Sequence, residues 1–302
     1  MRILHFSDPH VTIPLCHVPF GKWLGKRAIG GVNLLRGRYR LFAEAEEKIG
    51  ALVSFQREQQ VDLVLCSGDY TALGLRGEYE RALHCVRPLM NAPKGYINVP
   101  GNHDLYAGDT LQEDRFFTYF GDTLQSDLPE YQVDGPWPLV RLIDDTLAVV
   151  VVNSARPNPF PWRSSGRIPQ RQLLALQKIA GDARMNQRLV CIMTHYTALL
   201  EDGTPDSRLH GLSNYHKFLV ACAAFRVGII LSGHIHRCYT VKVEASGQQI
   251  FCAGSLTVTG KEGFWLFDVR GNYLQATPGT WNGERYELDT TAAVILNIPM
   301  KK

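Results

Sequence analysis

Three aspartates, one asparagine and five histidines in this chain stand just past the ends of short apolar runs, where chemistry is easiest to arrange. Ile3–Phe6 leads into Asp8 and His10, Leu63–Cys66 into Asp69, and Tyr96–Val99 into Asn102, His103 and Asp104. Val190–Met193 leads into His195, and Ile229–Leu231 into His234 and His236. Imidazoles mixed with carboxylate and amide oxygens suit a borderline divalent ion such as manganese, iron, zinc or cobalt, whereas magnesium and calcium prefer oxygen alone. There are too many donors for one ion. Two ions about 3.5–4 Å apart form a clamp for in-line displacement at phosphorus. Asp69, in the middle of the series, is the natural bridge between them.

Such donors need a scaffold that aims them at one place. Apolar runs of this length bounded by Gly, Ser or Pro read as buried strands, and ligands of open α/β sheets bind beyond the carboxyl ends of strands. Leu41, Ala45, Ile49, Leu52 and Val53 recur at helical spacing before the second strand, and Tyr79, Leu83, Val86 and Met90 before the third. Pro169 is placed to open a helix through Leu173, Leu176 and Ala180; Ser213 is placed to cap one through Phe218, Leu219, Cys222 and Phe225. These alternations are βαβ units. Tyr239–Val243, Gln249–Cys252 and Phe264–Val269 read as three consecutive strands, with Ala245-Ser246-Gly247 turning the first two. The mixture suggests two sheets packed face to face with helices outside.

The motifs D-x-H, G-D, G-N-H-D, a lone His after a strand, and G-H-x-H, in this order, resemble the calcineurin-like metallophosphoesterase superfamily. The resemblance runs from Asp8 to His236 and continues into the strand-rich tail. It implies an α/β fold, a four-layer αββα sandwich of two mixed sheets flanked by helices. It also implies that Asp8, His10 and His236 hold one metal and Asn102, His195 and His234 the other, with Asp69 shared. His103 is then the non-ligand histidine that contacts phosphoryl oxygens or protonates the leaving oxygen, and Asp104 orients its ring. The neutral Asn102 fits that arrangement because it limits the negative charge of the shell. Two cations lower the pKa of a bound water and neutralise phosphoryl oxygens, so the expected nucleophile is a metal-bridging hydroxide. Pro9 is the one local departure, at a position that supplies no ligand.

Each residue also has a plainer use. His195 alone would more often be a hydrogen-bonded structural histidine, Asn102 a turn residue and Asp69 an N-cap. The joint pattern outweighs these readings. His5, His84, His17 and His216 stay structural, and His210, in a polar loop with Glu201, Asp202 and Asp206 nearby, is a weaker candidate for bordering the site.

The 302 residues, 45% of them hydrophobic, are ample for a core. One metallophosphoesterase domain over 1–302 is expected, since a boundary between 8 and 236 would cut the site. Within it lie a basic and apolar insertion at 11–43 and a strand-rich part at 239–270. Seven scattered cysteines suit free thiols in a reducing compartment, and no signal peptide fits, because Asp8 would lie inside its apolar region. Cytoplasm, with the inner membrane face as a docking place, is the expected location.

The reaction expected is cleavage of a phosphodiester or pyrophosphate P–O bond. From Pro9 through Ala43 there is no Asp or Glu, while Lys22, Lys26, Arg27, Arg36, Arg38 and Arg40 interleave with Phe20, Trp23, Leu24, Ile29, Leu34 and Leu35. This is either an ordinary insertion with solvated bases or a lid beside Asp8 and His10 that suits an amphiphilic anion or a membrane surface. Gly25-Lys26-Arg27 through Asn33-Leu34-Leu35-Arg36 is also similar to an insertion in bacterial metallophosphoesterases of the UDP-2,3-diacylglucosamine pyrophosphatase type, which implies a nucleotide-lipid substrate. A cyclic-nucleotide or general phosphodiesterase uses the same metal core. Net charge +3, with no extended basic face beyond the insertion, argues against a nuclease. A non-catalytic scaffold would have lost a donor, and here all are present. The apolar 292–300 segment is too short to cross a bilayer and reads as a terminal strand or docking segment.

Overall fold

The computed structural model describes residues 1–298 apart from Pro19, Leu24, Pro159 and Pro161; the side chains of Leu15, Phe20 and Arg38 are likewise not described. Leu24 of the insertion, and Met300, Lys301 and Lys302 at the end of the chain, therefore lie outside the described residues.

Five strands coincide with the five apolar runs: β1 (Arg2–Phe6), β2 (Leu63–Cys66), β3 (Tyr96–Asn98), and, after β4 (Leu139–Leu142) and β5 (Leu147–Val151), β6 (Leu189–Tyr196) and β7 (Gly228–Gly233). The tail adds β8 (Tyr239–Lys242), β9 (Gln249–Cys252), β10 (Phe264–Arg270), β11 (Tyr273–Trp281), β12 (Tyr286–Leu288) and β13 (Val294–Asn297). One sheet runs β12-β11-β10-β1-β2-β3, with β13 also paired to β11; the other runs β4-β5-β6-β7-β9-β8. Strands β1, β2 and β3 are mutually parallel, as are β5, β6, β7 and β9, and antiparallel strands close the edges.

The period of two decides the layers. On the second sheet Leu147, Val149, Val151, Leu189, Cys191, Met193, Ile229, Leu231 and Phe251 face the first sheet and share its core. The intervening Ala148, Val150, Val190, Ile192, Ile230 and Ile250 face outward onto helices. The α-helices among the described residues are α1 (Lys26–Asn33), the single turn α2 (Tyr39–Leu41), α3 (Ala45–Glu58), α4 (Arg76–Val86), α5 (Gly108–Gln112), α6 (Arg115–Phe120), α7 (Gln170–Ala180) and α8 (Tyr215–Cys222). Leu173, Leu176 and Ile179 of α7 and Phe218 and Ala221 of α8 cover the second sheet. Ile49 and Leu52 of α3 and Tyr79 and Ala82 of α4 pack with the first. The result is an α/β architecture of two mixed sheets with flanking helices.

Several boundaries differ from the sequence reading. Leu41 lies in the exposed turn α2, before α3 begins at Ala45, and Met90 falls in a 3₁₀ turn after α4. Ser213 does not cap α8: its Oγ donates to the carbonyl of Gly166 at 2.9 Å, and Asn214 occupies the N-cap. The three tail strands separate, β8 and β9 forming a hairpin in the second sheet while β10 crosses to pair with β1 in the first.

The insertion is anchored to the body by charge. Arg27 is buried, donating to the Leu73 carbonyl at 3.0 Å and to both Asp109 oxygens at 2.8 and 2.7 Å. Lys22 reaches Asp109 at 3.0 Å, and the buried Arg115 reaches it at 2.8 Å. Burial alone would raise the Asp109 pKa, but hydrogen bonds from Arg27 and Lys22 hold it below the usual carboxylate range. Two of the insertion's bases are thus structural, which removes the reading in which all are solvated.

Candidate metal centre

The side chains collect at the carboxyl ends of β1, β2, β3, β6 and β7, as the strand-end rule requires. The backbone leaving β1 runs beside the one leaving β2: Asp8 N donates to the Gly68 carbonyl at 2.9 Å, and His10 N to that of Asp69 at 3.0 Å. Pairing in β6 shifts register between Met193 and Tyr196, next to His195; such a bulge turns a strand side chain toward a site.

The donors form two groups. Asp8, His10 and His236 bring donor atoms within 4.8 Å of one another, and so do Asp69, His195 and His234. In the first group His10 Nε2 is 2.9 Å from His236 Nε2 and 3.5 Å from Asp8 Oδ1, and His236 Nε2 is 3.1 Å from the same oxygen. In the second, His195 Nε2 is 3.4 Å from Asp69 Oδ2 and 3.2 Å from Asn102 Oδ1. Ligands about 2.1 Å from one ion lie roughly 3 Å apart, so these separations fit metal shells. The chemistry fits as well, since two imidazole nitrogens face each other in the first group where a cation would satisfy both lone pairs.

Asp69 connects the groups. Its Oδ1 accepts the His103 backbone N–H at 2.6 Å, and its Oδ2 lies 4.0 Å from His10 Nε2 as well as 3.4 Å from His195 Nε2. Burial would raise its pKa, but the charges of His195 and His103 outweigh this and keep it below the usual carboxylate range. The reverse holds for His195: burial lowers its pKa, and Asp69 more than compensates, raising it to about 9. Burial likewise opposes ionisation of Asp8, and His236 and His10 overcome it.

Asp8, His10, Asp69, His234 and His236 all have positive φ, between 41° and 73°. Among the described residues only two other non-glycine positions share this, Gln60 and Asp114. A left-handed conformation costs a non-glycine residue of order 1 kcal/mol or more, and its concentration here marks a site the surrounding fold must enforce.

Glycines make the approach possible. A Cβ on Gly101 would collide with Asp69 Oδ1 and with its backbone nitrogen at 2.6 Å, and one on Gly233 would collide with Ser7 Oγ and lie 2.6 Å from Asp8 Oδ2. Gly101→Ala and Gly233→Ala are therefore expected to destabilise the fold by about 1–3 kcal/mol and to lower metal content. Gly50→Ala, in a helix position with open space around it, should be neutral or stabilising by up to about 1 kcal/mol. Elemental analysis beside thermal unfolding checks this, and unchanged metal content in both site variants would refute it.

Asp104 corrects one expectation. Its Oδ2 accepts the backbone N–H groups of Asp69 and Gly101, both at 2.9 Å, and its Oδ1 accepts that of Thr71 at 3.1 Å. The His103 ring is held instead through Nδ1, 2.6 Å from the Ala72 carbonyl. Asp104 ties the loops after β2 and β3 together, because both of its oxygens accept those backbone donors. Burial and the neighbouring Asp69 push its pKa up to about 7.

Sequence reading missed a buttress from the tail. Ser255 Oγ donates to the Asp8 carbonyl at 2.7 Å, Thr257 Oγ1 to that of Pro9 at 2.6 Å, and Leu256 N to that of Ser7 at 2.8 Å. Single Ser and Thr residues carry no pattern that could have announced this. His210 was the weaker candidate and does wall the site: its carbonyl is 3.2 Å from His234 Nε2, and its ring centroid 4.3 Å from that of His234. Its Nδ1 lies 2.5 Å from Asp206, whereas Glu201 pairs with Arg237 outside. His5 bonds Ser67 Oγ at 3.0 Å inside the core, where burial lowers its pKa to about 3, and His17, His84 and His216 are exposed.

Residues 1–238 match the family model described as calcineurin-like phosphoesterase. Nothing among the curated proteins matches the chain. Among solved structures, a dimetal phosphatase from Danio rerio is similar with a TM-score of 0.65 at 15% identity, over 98% of this chain and 98% of that one. Purple acid phosphatase from yellow lupin (Lupinus luteus) seeds is similar with a TM-score of 0.59 at 10% identity, over 98% of this chain and 53% of that one. At such identities the two structures speak for the fold.

Proposed function

The chain belongs to the calcineurin-like phosphoesterase family, and from that premise we propose that it cleaves phosphodiesters or phosphoanhydrides at the paired donor groups after β1, β2, β3, β6 and β7. It is a metal-dependent phosphoester hydrolase with two divalent ions as cofactors. In our reading Asp8, His10 and His236 hold one ion, Asn102, His195 and His234 the other, and Asp69 serves both. When bound, such ions acidify a water and neutralise phosphoryl oxygens. The observation that carries the assignment is Asp69 Oδ2, which faces a histidine of each group while Oδ1 stays on the His103 N–H.

The protein's own part is placement and proton transfer. Because Nδ1 of His103 is engaged by the Ala72 carbonyl, it falls to Nε2 to give a proton to the leaving oxygen. His103 lines the same cavity as Asp69, Asn102, His234 and His236, so substrate and acid share one space.

For the substrate we favour an amphiphilic nucleotide-lipid such as UDP-2,3-diacylglucosamine. Helix α1 turns Lys26, Ile29 and Asn33 to the cavity, while Val32 and, in the turn that follows the helix, Leu35, the latter 74% exposed, extend an apolar stripe into solvent. Acyl chains or a membrane surface would cover that stripe. No helix among the described residues is long and apolar enough to cross a membrane, so contact through 11–43 would be peripheral. In this reading the protein works in the cytoplasm, at the inner membrane face. A general or cyclic-nucleotide phosphodiesterase is the second reading, favoured by a cavity of about 460 Å³, room for a nucleotide without its chains.

The test is elemental analysis of purified protein coupled to a panel of monoester, diester, cyclic nucleotide and nucleotide-diphospho lipid. We expect about two transition ions per chain, loss of turnover on chelation, and fastest turnover of the acylated substrate. Equal activity on short soluble diesters with none on acylated nucleotides would end the lipid reading. Activity undiminished by exhaustive chelation would end the metal assignment.

A further inference from the structure

The cavity in front of the donors carries more positive charge than a single phosphoester requires. Three cations from separate stretches of chain line it: Lys26 at the start of α1, Arg163 in the connection between β5 and α7, and Lys261 in the turn before β10. Among the described residues its lining includes one carboxylate, Asp69, which faces the two histidine groups. A phosphodiester monoanion is already met by two divalent ions, so three further cations call for another anionic group.

Their settings suit a binding role. The Lys26 ammonium stands over the Tyr106 ring, 4.3 Å from its centroid, beside the Arg27 anchor that fixes α1. Arg163 donates through Nε to the buried Ser165 Oγ at 2.9 Å, which orients the planar guanidinium that grips phosphate oxygens in pairs. The Lys261 backbone closes the turn that also presents Ser255: Lys261 N donates to the Val258 carbonyl at 2.9 Å, and Ser255 N to that of Lys261 at 3.1 Å. Since Ser255 supports Asp8, this cation is tied to the floor of the centre.

We propose that Lys26, Arg163 and Lys261 form a subsite for a second anionic group, which makes diphosphate-bridged esters better substrates than simple phosphate esters. This specificity deepens the hydrolase reading above and rests on it. Neither Arg163 nor Lys261 belongs to any motif in the sequence.

The experiment compares wild type with Lys26→Ala, Arg163→Ala, Lys261→Ala and the triple variant, all loaded with manganese. Binding of methylenediphosphonate and methylphosphonate is measured by calorimetry; KM and kcat are measured on a nucleoside-diphospho sugar and on bis(p-nitrophenyl) phosphate. Wild type should bind the diphosphonate at least about tenfold more tightly than the phosphonate, and each substitution should raise its Kd several-fold. The triple variant should lose the preference and raise KM for the diphosphate ester at least about tenfold. Its KM for bis(p-nitrophenyl) phosphate should rise far less than that for the diphosphate ester, and circular dichroism of the triple variant shows that it folds. Retained preference in the triple variant, or an equal loss on both esters, overturns the subsite. A wild type that hydrolyses neither ester refutes the hydrolase reading instead, and the subsite then stands or falls on the two phosphonates.

Discussion

Asp69→Asn is expected to abolish metal-dependent hydrolysis, by about three orders of magnitude or more, and to reduce bound metal below two ions per chain. The substitution keeps shape but removes the charge that faces both groups from Oδ2, 3.4 Å from His195 Nε2 and 4.0 Å from His10 Nε2. An amide can still accept the His103 N–H through its oxygen, but its nitrogen then points at the histidines as a donor, opposite to what a cation needs. Circular dichroism should show a folded protein while elemental analysis shows the missing metal. Full activity with two ions bound would remove Asp69 as the bridge.

His103→Ala should do the opposite to the metal: both ions stay while turnover falls about 10²–10⁴-fold. Its ring is held by the Ala72 carbonyl and stands outside both groups of clustered donors, so truncation leaves those groups intact. The loss should depend on the leaving group. An ester that releases an alkoxide needs the proton from Nε2, whereas a nitrophenolate departs as a stable anion and should lose far less. An equal loss on both esters would mean that His103 stabilises phosphoryl charge and does not act as the acid. Loss of metal would mean that it belongs to the shell.

Much of this arrangement can be read from local sequence pattern. β1, β2, β3, β6 and β7 each announce themselves by a mainly apolar run, interrupted by His5 in β1 and Asn98 in β3, because a strand buried on both faces needs no polar alternation. The residue after each run is forced to the strand's carboxyl end, so Asp8, Asp69, Asn102, His195 and His234 could be aimed at one crevice without coordinates. Helices α3, α4 and α7 follow from spacing in the same way.

Other features depend on which segments meet in space. β4, β5, β11 and β12 carry no such signal; the 292–300 segment reads from sequence as a terminal strand or a docking segment, and the pairing of Val294–Asn297 with β11 decides for a strand. The aspartate expected to steer His103 spends its oxygens on three backbone N–H groups, a result of two loops approaching each other. Sequence leaves Arg27 either a solvated base or part of a lid, and Asp109, 82 positions away, supplies its partner. Residue type and periodicity fixed the donors and the ends of the strands that carry them, because both are set by neighbours in the chain. Tertiary structure alone decided that Ser255 supports Asp8 from 247 positions away and that Lys26, Arg163 and Lys261 share one wall, because hydrogen bonds and charge act across distances that the order of residues does not record.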